Sequence, residues 1–560
     1  MIGRSIYTLG RIKLRHLLVV LTLALTCNVT FAKTLKVGVM EGKKNFYPIH
    51  QRVGESNFIR NLISPPIIAV SKGQKWTCIV CKRIPTIENG GVKIDTFETN
   101  VDGKEVEQDV LKSKWEISDS FYWDDGKPVT GLDIKFTLEY LKANGHHLPI
   151  SKIVVNHKKP RQFDLWFDKP RPDFYQTLAI SILPHQKAKL IHSLQMDNTD
   201  IVSQLANSKG TSYGPYRLSA DKENPTLVEN SYYKGLKNDF KTIEIQFHKS
   251  LESLSRNLGS ADLDMVADGE LEYKDIKNLL QKPSIRSKWK FVHSLSPVTD
   301  ILIFNLKNPY LADLQLRKAI FHSIDRESLL SDIFDNYGSI APLPPYEAAN
   351  TFVGKSTYNL LQARRILESS GWDMTAKASE SSRPRLELNL IFTNSPLKKK
   401  IANRVRSNLG SLGISVKLKP LQSKDEFLER TRKGLFKDLA LISIKTFPDM
   451  PLADLYHSQA IPKKKNDFRG NNFASWNNYR IDQALDKRNQ SLLKSERAAA
   501  LLKVSKIYRE DLPSIPLLVR PHFGLINSNL VNVHFPGHGY HSSLFSSGWS
   551  SMESEKGVIF

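Results

Sequence analysis

The chain has 560 residues, 40% hydrophobic and 24% charged, with 80 Lys and Arg against 57 Asp and Glu and a net charge of +23. That length is more than one hydrophobic core organises, so several folding units are expected, and the ordinary composition excludes a low-complexity chain. The basic excess would suit nucleic acid, an anionic membrane surface or an acidic ligand. Lys and Arg are spread along the whole sequence, with short runs at Lys398–Lys400 and Lys463–Lys465, and no Arg- and aromatic-rich cluster marks a nucleic-acid module. A solvated basic surface and no nucleic-acid partner are expected, with attraction to anionic lipid as the alternative.

The N-terminus reads as a secretion leader. Arg4, Arg11, Lys13 and Arg15 precede an apolar run from Leu17 to Leu25, and Thr30-Phe31-Ala32 offers small residues for cleavage after Ala32. The run is short for a membrane span, and Ala24-Leu25-Thr26 before Cys27 fits a lipoprotein signal poorly. Cleavage removes four cations and no acid, taking the charge from +23 to +19. A periplasmic, soluble mature chain is expected over a lipid-anchored one. Cys78 and Cys81 then remain, as Cys-Ile-Val-Cys. In an oxidising compartment a disulfide between them is expected. Buried free thiols are an alternative. So is a redox site, although Trp76–Pro85 reads as a strand and offers no helix N-terminus to lower a thiol pKa. A zinc site would need a second pair of ligands, so no metal is expected.

Thr34–Met40 alternates apolar and polar residues and predicts the first strand, and a helix is expected around Ser56–Ile63. Trp76–Trp123 reads as strands and turns, with turn signals at Asn89-Gly90-Gly91 and Asp102-Gly103 and a strand over Trp115–Trp123. Phe121–Ala143, FYWDDGKPVTGLDIKFTLEYLKA, predicts a tight turn and a capped amphipathic helix. Asp125-Gly126 and Pro128 are turn residues, Thr130 and Asp133 have the capping-box spacing, and Ile134, Leu138 and Leu141 form one stripe. Gly210–Leu218, GTSYGPYRL, marks a sharp entry into a strand and is followed by Leu227–Gly235 and a short strand in Ser260–Val266. Ile301–Leu330 predicts a strand ending at Asn305, a break at Pro309 and a helix carrying Leu316, Ile320 and Ile324; the small turn Ala341–Pro345 follows. Further helices are expected over Tyr358–Trp372 and Ile401–Leu412, and a strand over Gly413–Leu421. The closing block from Arg480 to Val519 reads as two helices and a strand that begins Leu-Pro-Ser-Ile-Pro-Leu.

These landmarks, in this order over residues 34 to 520, resemble the peptide/nickel-type solute-binding proteins of ABC importers, solute-binding protein family 5. The resemblance rests on Trp123, Asp125-Gly126, Pro128-Val129-Thr130 and the helix after them. It also rests on Ile84–Gly91, on Gly210–Leu218 with Leu227–Gly235, and on Asn305, Pro309, Arg317, Ile324-Asp325-Arg326, Tyr358–Trp372 and the closing block. It implies an α/β, periplasmic binding protein-like fold of two lobes joined by a hinge, of the cluster C type. On that pattern residues 33–300 and 515–560 form lobe one, with a subdomain at about 64–205, and residues 301–514 form lobe two. The hinge crossings are expected near Ile301–Phe304 and Pro516–Val519. The resemblance also implies that a peptide or other small solute is enclosed between the lobes and passed to the permease subunits of an importer driven by cytoplasmic ATPases. No cofactor and no catalysis are implied, and a monomer is expected.

In peptide-binding members an Asp of lobe two, after a Gly-Trp, pairs with the ligand's α-amino group. Here that position falls on Ile444 or Phe447 within Asp438–Ser458, with Lys445 and Asp449 beside it and Trp476 and Tyr479 downstream. Lys445, Phe447, Asp449, Trp476 and Tyr479 are therefore the candidate ligand-binding residues. A Lys in the cleft would favour a carboxylate or another anion. The missing acid keeps a second cargo class open: an oligosaccharide, an anionic small molecule, a metal chelate or haem. The enzyme alternative lacks support. A thiol oxidoreductase would need Cys78 and Cys81 as reactive groups, no His-Glu-x-x-His occurs, and His146-His147 has no partner at ligand spacing.

Overall fold

The computed structural model describes residues 33–40, 58–71, 75–101, 104–188, 191, 208–219, 225–236, 238–345, 357–372, 386–534, 542–546 and 549–551. The leader expected over residues 1–32, with Cys27, lies outside the described residues. Strands are numbered in chain order: β1 (Lys33–Met40), β2 (Ile68–Val70), β3 (Trp76–Cys78), β4 (Val92–Val101), β5 (Lys104–Glu116), β6 (Ile150–Val155), β7 (Gln162–Phe167), β8 (Tyr216–Leu218), β9 (Thr226–Glu229), β10 (Phe240–His248), β11 (Met265–Val266), β12 (Trp289–Phe304), β13 (Ser339–Ile340), β14 (Glu387–Thr393), β15 (Ser415–Leu421), β16 (Leu439–Lys445) and β17 (Ser514–Asn527).

The main sheet runs in the order β15-β14-β16-β12-β17-β11-β1-β10-β9-β8, with β13 added to β17. Two long strands hold it together. β12 and β17 pair antiparallel from Trp289 opposite Asn527 to Ile303 opposite Ser514, with a break in register between Leu295 and Thr299. On one side of the break β12 also pairs with β16, from Val298 opposite Lys445 to Phe304 opposite Leu439. On the other side β17 pairs with β11 at Leu525 and Ile526. The chain therefore passes twice between two lobes, once along each strand, within a few residues of the register break.

Each lobe has its own core. In lobe two the period-2 alternation of β12 sends Leu302 and Phe304 to one face, against Ile320, Leu390, Val405 and Leu441. Ile301 and Ile303 go to the other face, against Ala440, Ile442, Trp476 and Tyr508. In lobe one Leu35 and Val37 of β1 pack with Ile243, Ile245 and Met265. A third core belongs to the subdomain, where the antiparallel sheet β4-β5-β7-β6 packs Leu111, Leu165 and Phe167 against Ile134, Leu138 and Leu141 of helix Gly131–Ala143.

The family landmarks are scaffold, and each does an identifiable job. Trp123 is wholly buried and meets Tyr213 edge-on at 5.1 Å. Asp124 Oδ1 accepts the backbone N–H groups of Gly210, Thr211 and Ser212, each at 2.9 Å, which ties the first landmark to the second. Asp133, wholly buried, accepts from Thr130 N at 2.8 Å, so the acid half of the expected capping box is formed. Arg317 donates to the carbonyls of Leu311, Ala312, Asp511 and Leu512, and Trp372 Nε1 donates to Asp313 Oδ2 at 3.1 Å. Gly210–Gly214 also has the Gly-x-Ser-x-Gly spacing of a nucleophile elbow, but Ser212 is 1% exposed. Its segment is a turn that leads into β8, whereas an elbow joins a strand to a helix.

Two expected strands are shorter than the sequence suggests. Trp115–Trp123 is not continuous: β5 ends at Glu116 and only single bridges, Cys81 with Ile117 and Tyr122 with Pro128, follow. Past Glu116 the chain turns instead, and Arg161 Nη1 gathers the carbonyls of Ser118, Phe121 and Val129 there. Likewise β3 stops at Cys78, because Cys78 and Cys81 are joined in a disulfide whose Cα atoms lie 5.1 Å apart. That short loop forces a bend.

Gly214 is required by close approach. A Cβ there would lie 2.3 Å from the Leu62 carbonyl oxygen. Gly214→Ala is expected to destabilise the protein by about 1–3 kcal/mol. Gly410→Ala, at a helical glycine with open space around it, should be neutral or stabilising by up to about 1 kcal/mol. Urea unfolding of both variants checks the contrast; equal effects would contradict the assignment.

Candidate ligand-binding site between the lobes

After β16 the chain runs on to the edge of lobe two at Thr446, whose N–H donates to the Pro297 carbonyl at 2.7 Å. It then turns at Asp449, which has a left-handed φ of 57°. An Asp tolerates that conformation better than most side chains. The turn meets the subdomain of lobe one. Tyr175 Oη donates to Asp449 Oδ2 at 2.6 Å, and Gln176 Nε2 donates to the Asp449 carbonyl at 3.0 Å. Trp76 Nε1 donates to the Pro448 carbonyl at 2.8 Å, and the Trp76 ring stands edge-on to Phe447 at 6.3 Å and to Tyr175 at 6.0 Å. Arg497 Nε lies 3.8 Å from Asp449 Oδ1. Burial and the Asp449 carboxylate push the Tyr175 phenol far above its ordinary range, so it stays a donor. Arg171 forks onto Asp173 at 2.7 Å twice. Burial and the Asp173 charge raise the pKa of Asp454. Beside this contact a cavity of 500 Å³ is lined by Trp76, Thr86, Asn89, Tyr175, Pro448 and Arg497, among others.

A second polar cluster lies near the same end of β16, where Asp300 stands opposite Ser443. Asp300 of β12 is wholly buried. Its Oδ1 accepts from Lys398 Nζ at 2.7 Å, Ser443 Oγ at 2.7 Å and Arg520 Nη2 at 2.8 Å, and its Oδ2 accepts from Arg520 Nε at 2.8 Å. Burial works to raise the Asp300 carboxyl, but Lys398 and Arg520 outweigh it and hold the group at about 2. Burial pulls Lys398 down to about 8 against the attraction of Asp300.

The five candidates separate in the structure. Asp449 and Phe447 sit where the lobes meet. Lys445 ends β16, exposed and opposite Val298. Trp476 is 3% exposed, a core residue behind Phe447, with its indole N–H on Asp511 Oδ2 at 2.8 Å. Tyr479 is 73% exposed at the start of a surface helix, where its hydroxyl accepts from Gln483. Trp76, Tyr175, Gln176 and Arg497 escape a reading of the sequence because their partner is up to several hundred residues away. Lys398 had a signal. It precedes Ile401, Ala402 and Val405 by three, four and seven residues, which puts it on the buried stripe of helix Pro396–Gly410. The expectation that Lys398–Lys400 is solvated therefore fails for Lys398, 5% exposed, and holds for Lys399 and Lys400.

The profile of the bacterial extracellular solute-binding proteins, family 5 Middle, matches residues 99–461. The chain belongs to this family. It is 21% identical over 505 residues to the oligopeptide-binding protein OppA of Bacillus subtilis, covering 80% of this chain and 87% of that one. It is 22% identical over 466 residues to the nickel-binding protein NikA of Staphylococcus aureus, covering 79% and 86%. The structure of HbpA2 from Haemophilus parasuis superposes with a TM-score of 0.71 at 15% identity, covering 93% of this chain and 100% of that one. The two-lobed fold expected of the family is the fold observed.

The Tyr175–Asp449 contact is a hydrogen bond to a charged group, worth about 1.5–3 kcal/mol when one partner is removed. In a double-mutant cycle of Tyr175→Phe with Asp449→Asn, unfolding free energies should show a coupling of about 1 kcal/mol or more. Additive effects would mean that the two side chains do not hold the lobes together.

Proposed function

We propose that this family member is the periplasmic receptor of an ABC importer. It is exported by the leader in residues 1–32, acts as a monomer, encloses a peptide between its lobes and delivers it to the permease and its cytoplasmic ATPases. Lobe one comprises residues 33 to about 297 and about 520 to 560, and lobe two the residues between. The β12–β17 register break, Leu295–Thr299 opposite Val519–Pro521, is the hinge. The observation that carries the reading is the architecture: two lobes joined by two strands, with a lobe-two turn at Asp449 meeting lobe one at Tyr175. A solute that touches both lobes favours the closed arrangement by its differential contacts, and no covalent step is needed. Peptide cargo is supported by the relative that binds oligopeptides. Among the described residues no group of three or more His, Cys, Asp or Glu is arranged to hold a metal ion, and no helix is long and apolar enough to cross a membrane.

One observation favours the second cargo class, a non-peptide anion or chelate. Asp449, the acid nearest the usual amino-anchoring position, is already engaged by Tyr175, so a ligand's ammonium group competes with the protein's own donor there.

Protein purified from its host and sprayed under native conditions should carry a small solute. Returned at 100 times its Kd, that solute should add about 2.7 kcal/mol to the unfolding free energy. Purification with no bound solute, together with no thermal shift from peptide pools, would count against the receptor role.

A further inference from the structure

We propose that Arg520 and Lys445, braced by Asp300, Lys398 and Ser443, form a preorganised seat for a carboxylate group of the transported solute. The proposal rests on the receptor reading and names the chemistry the cleft would recognise.

The argument starts from charge. Lys398 is 5% exposed, and the Arg520 side chain is 25% exposed. Asp300 is the carboxylate paired with both among the described residues. Two cations on one anion leave a surplus positive charge that is mostly desolvated. Such a charge is costly unless another anion compensates it. A purely structural bridge between β12 and helix Pro396–Gly410 would need only Lys398 and Asp300, which already neutralise each other.

Geometry points the same way. Asp300 takes Arg520 side-on through Nε and Nη2, and Ser443 Oγ accepts a second bond from Nη2 at 2.9 Å. These contacts fix the plane of the guanidinium, while its Nη1 edge has no partner among the described residues. The Nη1 hydrogens of a guanidinium held in a fixed plane are suited to a charge-assisted bond to one carboxylate oxygen, because little rotamer entropy remains to be lost on binding. Lys445 adds to this. Asp300 stands opposite Ser443 and the two side chains are bonded, so they share a face of the sheet. Alternation places Lys445, two residues beyond Ser443, on that same face about 7 Å further along. It is exposed, and four residues later the chain reaches Asp449, where the lobes meet. Lys398 lies in the first turn of its helix, so the positive end of the helix dipole also faces this site.

The carboxylate could be a peptide C-terminus or part of a small polycarboxylate. Isothermal titration of the full-length mature protein separates these with three probes: a tetrapeptide library with free C-termini, the same library as C-terminal amides, and citrate. Free acids binding at least about tenfold tighter than amides supports the seat with peptide cargo. Citrate binding with neither library binding supports the seat with non-peptide cargo. Lys445→Gln, an exposed change that should leave folding intact, should weaken the bound probe about fivefold. Arg520→Gln should weaken it about thirtyfold or more. Amides binding as well as acids, or tight binding unchanged in both variants, overturns the seat and leaves the receptor reading standing. No binding of any probe counts against both.

Discussion

The antiparallel pairing of β12 with β17 is the constraint on which the rest of the molecule depends. Among the described residues it is the secondary structure shared by both lobes, and it spans both because each strand is long enough to enter two cores. Lobe two is completed by β16 on one flank of the pair, and lobe one by β11 on the other. The register break between them removes ladder hydrogen bonds just where the chain passes between cores. Hinges absorb their dihedral change at a few such residues. On the receptor reading proposed above, closure is a bend of two strands, and neither core has to be repacked.

The polar groups near the crossing follow from the same arrangement. Along one face of β17, Arg520 is held by Asp300 from the lobe-two side and His522 by Asp268 from the lobe-one side, with His522 Nε2 3.0 Å from Asp268 Oδ2. Both carboxylates are wholly buried. Each lobe therefore holds the returning strand through a buried carboxylate, one at the break and one just beyond it, and a bend in the strand changes the spacing between the two. The Asp449 turn adds a contact that exists only when the lobes are together.

Much of the fold is legible in the sequence because its landmarks are local. The helix after Thr130, the strand ending at Asn305 and the helix closed by Gly371 are each specified by neighbouring residues, and their order identified the architecture. The strand reading failed where the chain turns: beside Arg161 at Ser118–Val129 and at the Cys78–Cys81 bond after β3. The site was legible only in part. Asp449 and Lys445 stood out because they occupy the segment that departs from the family pattern, but nothing local announces that Tyr175 meets Asp449 or that Arg520 meets Asp300. Residue type alone points to Trp476 and Tyr479, and residue type does not separate a buried indole from a cleft-lining one.

Movement about the β12–β17 crossing is the centre of this account, and a distance across it tests the movement directly. Spin labels on cysteines introduced at the exposed positions Lys158, in the subdomain, and Lys424, in lobe two, report that distance by double electron–electron resonance. Saturation with the solute that binds should move the distribution to a shorter, narrower distance. A distribution that stays unchanged while binding is complete would show that the two lobes do not close on their ligand.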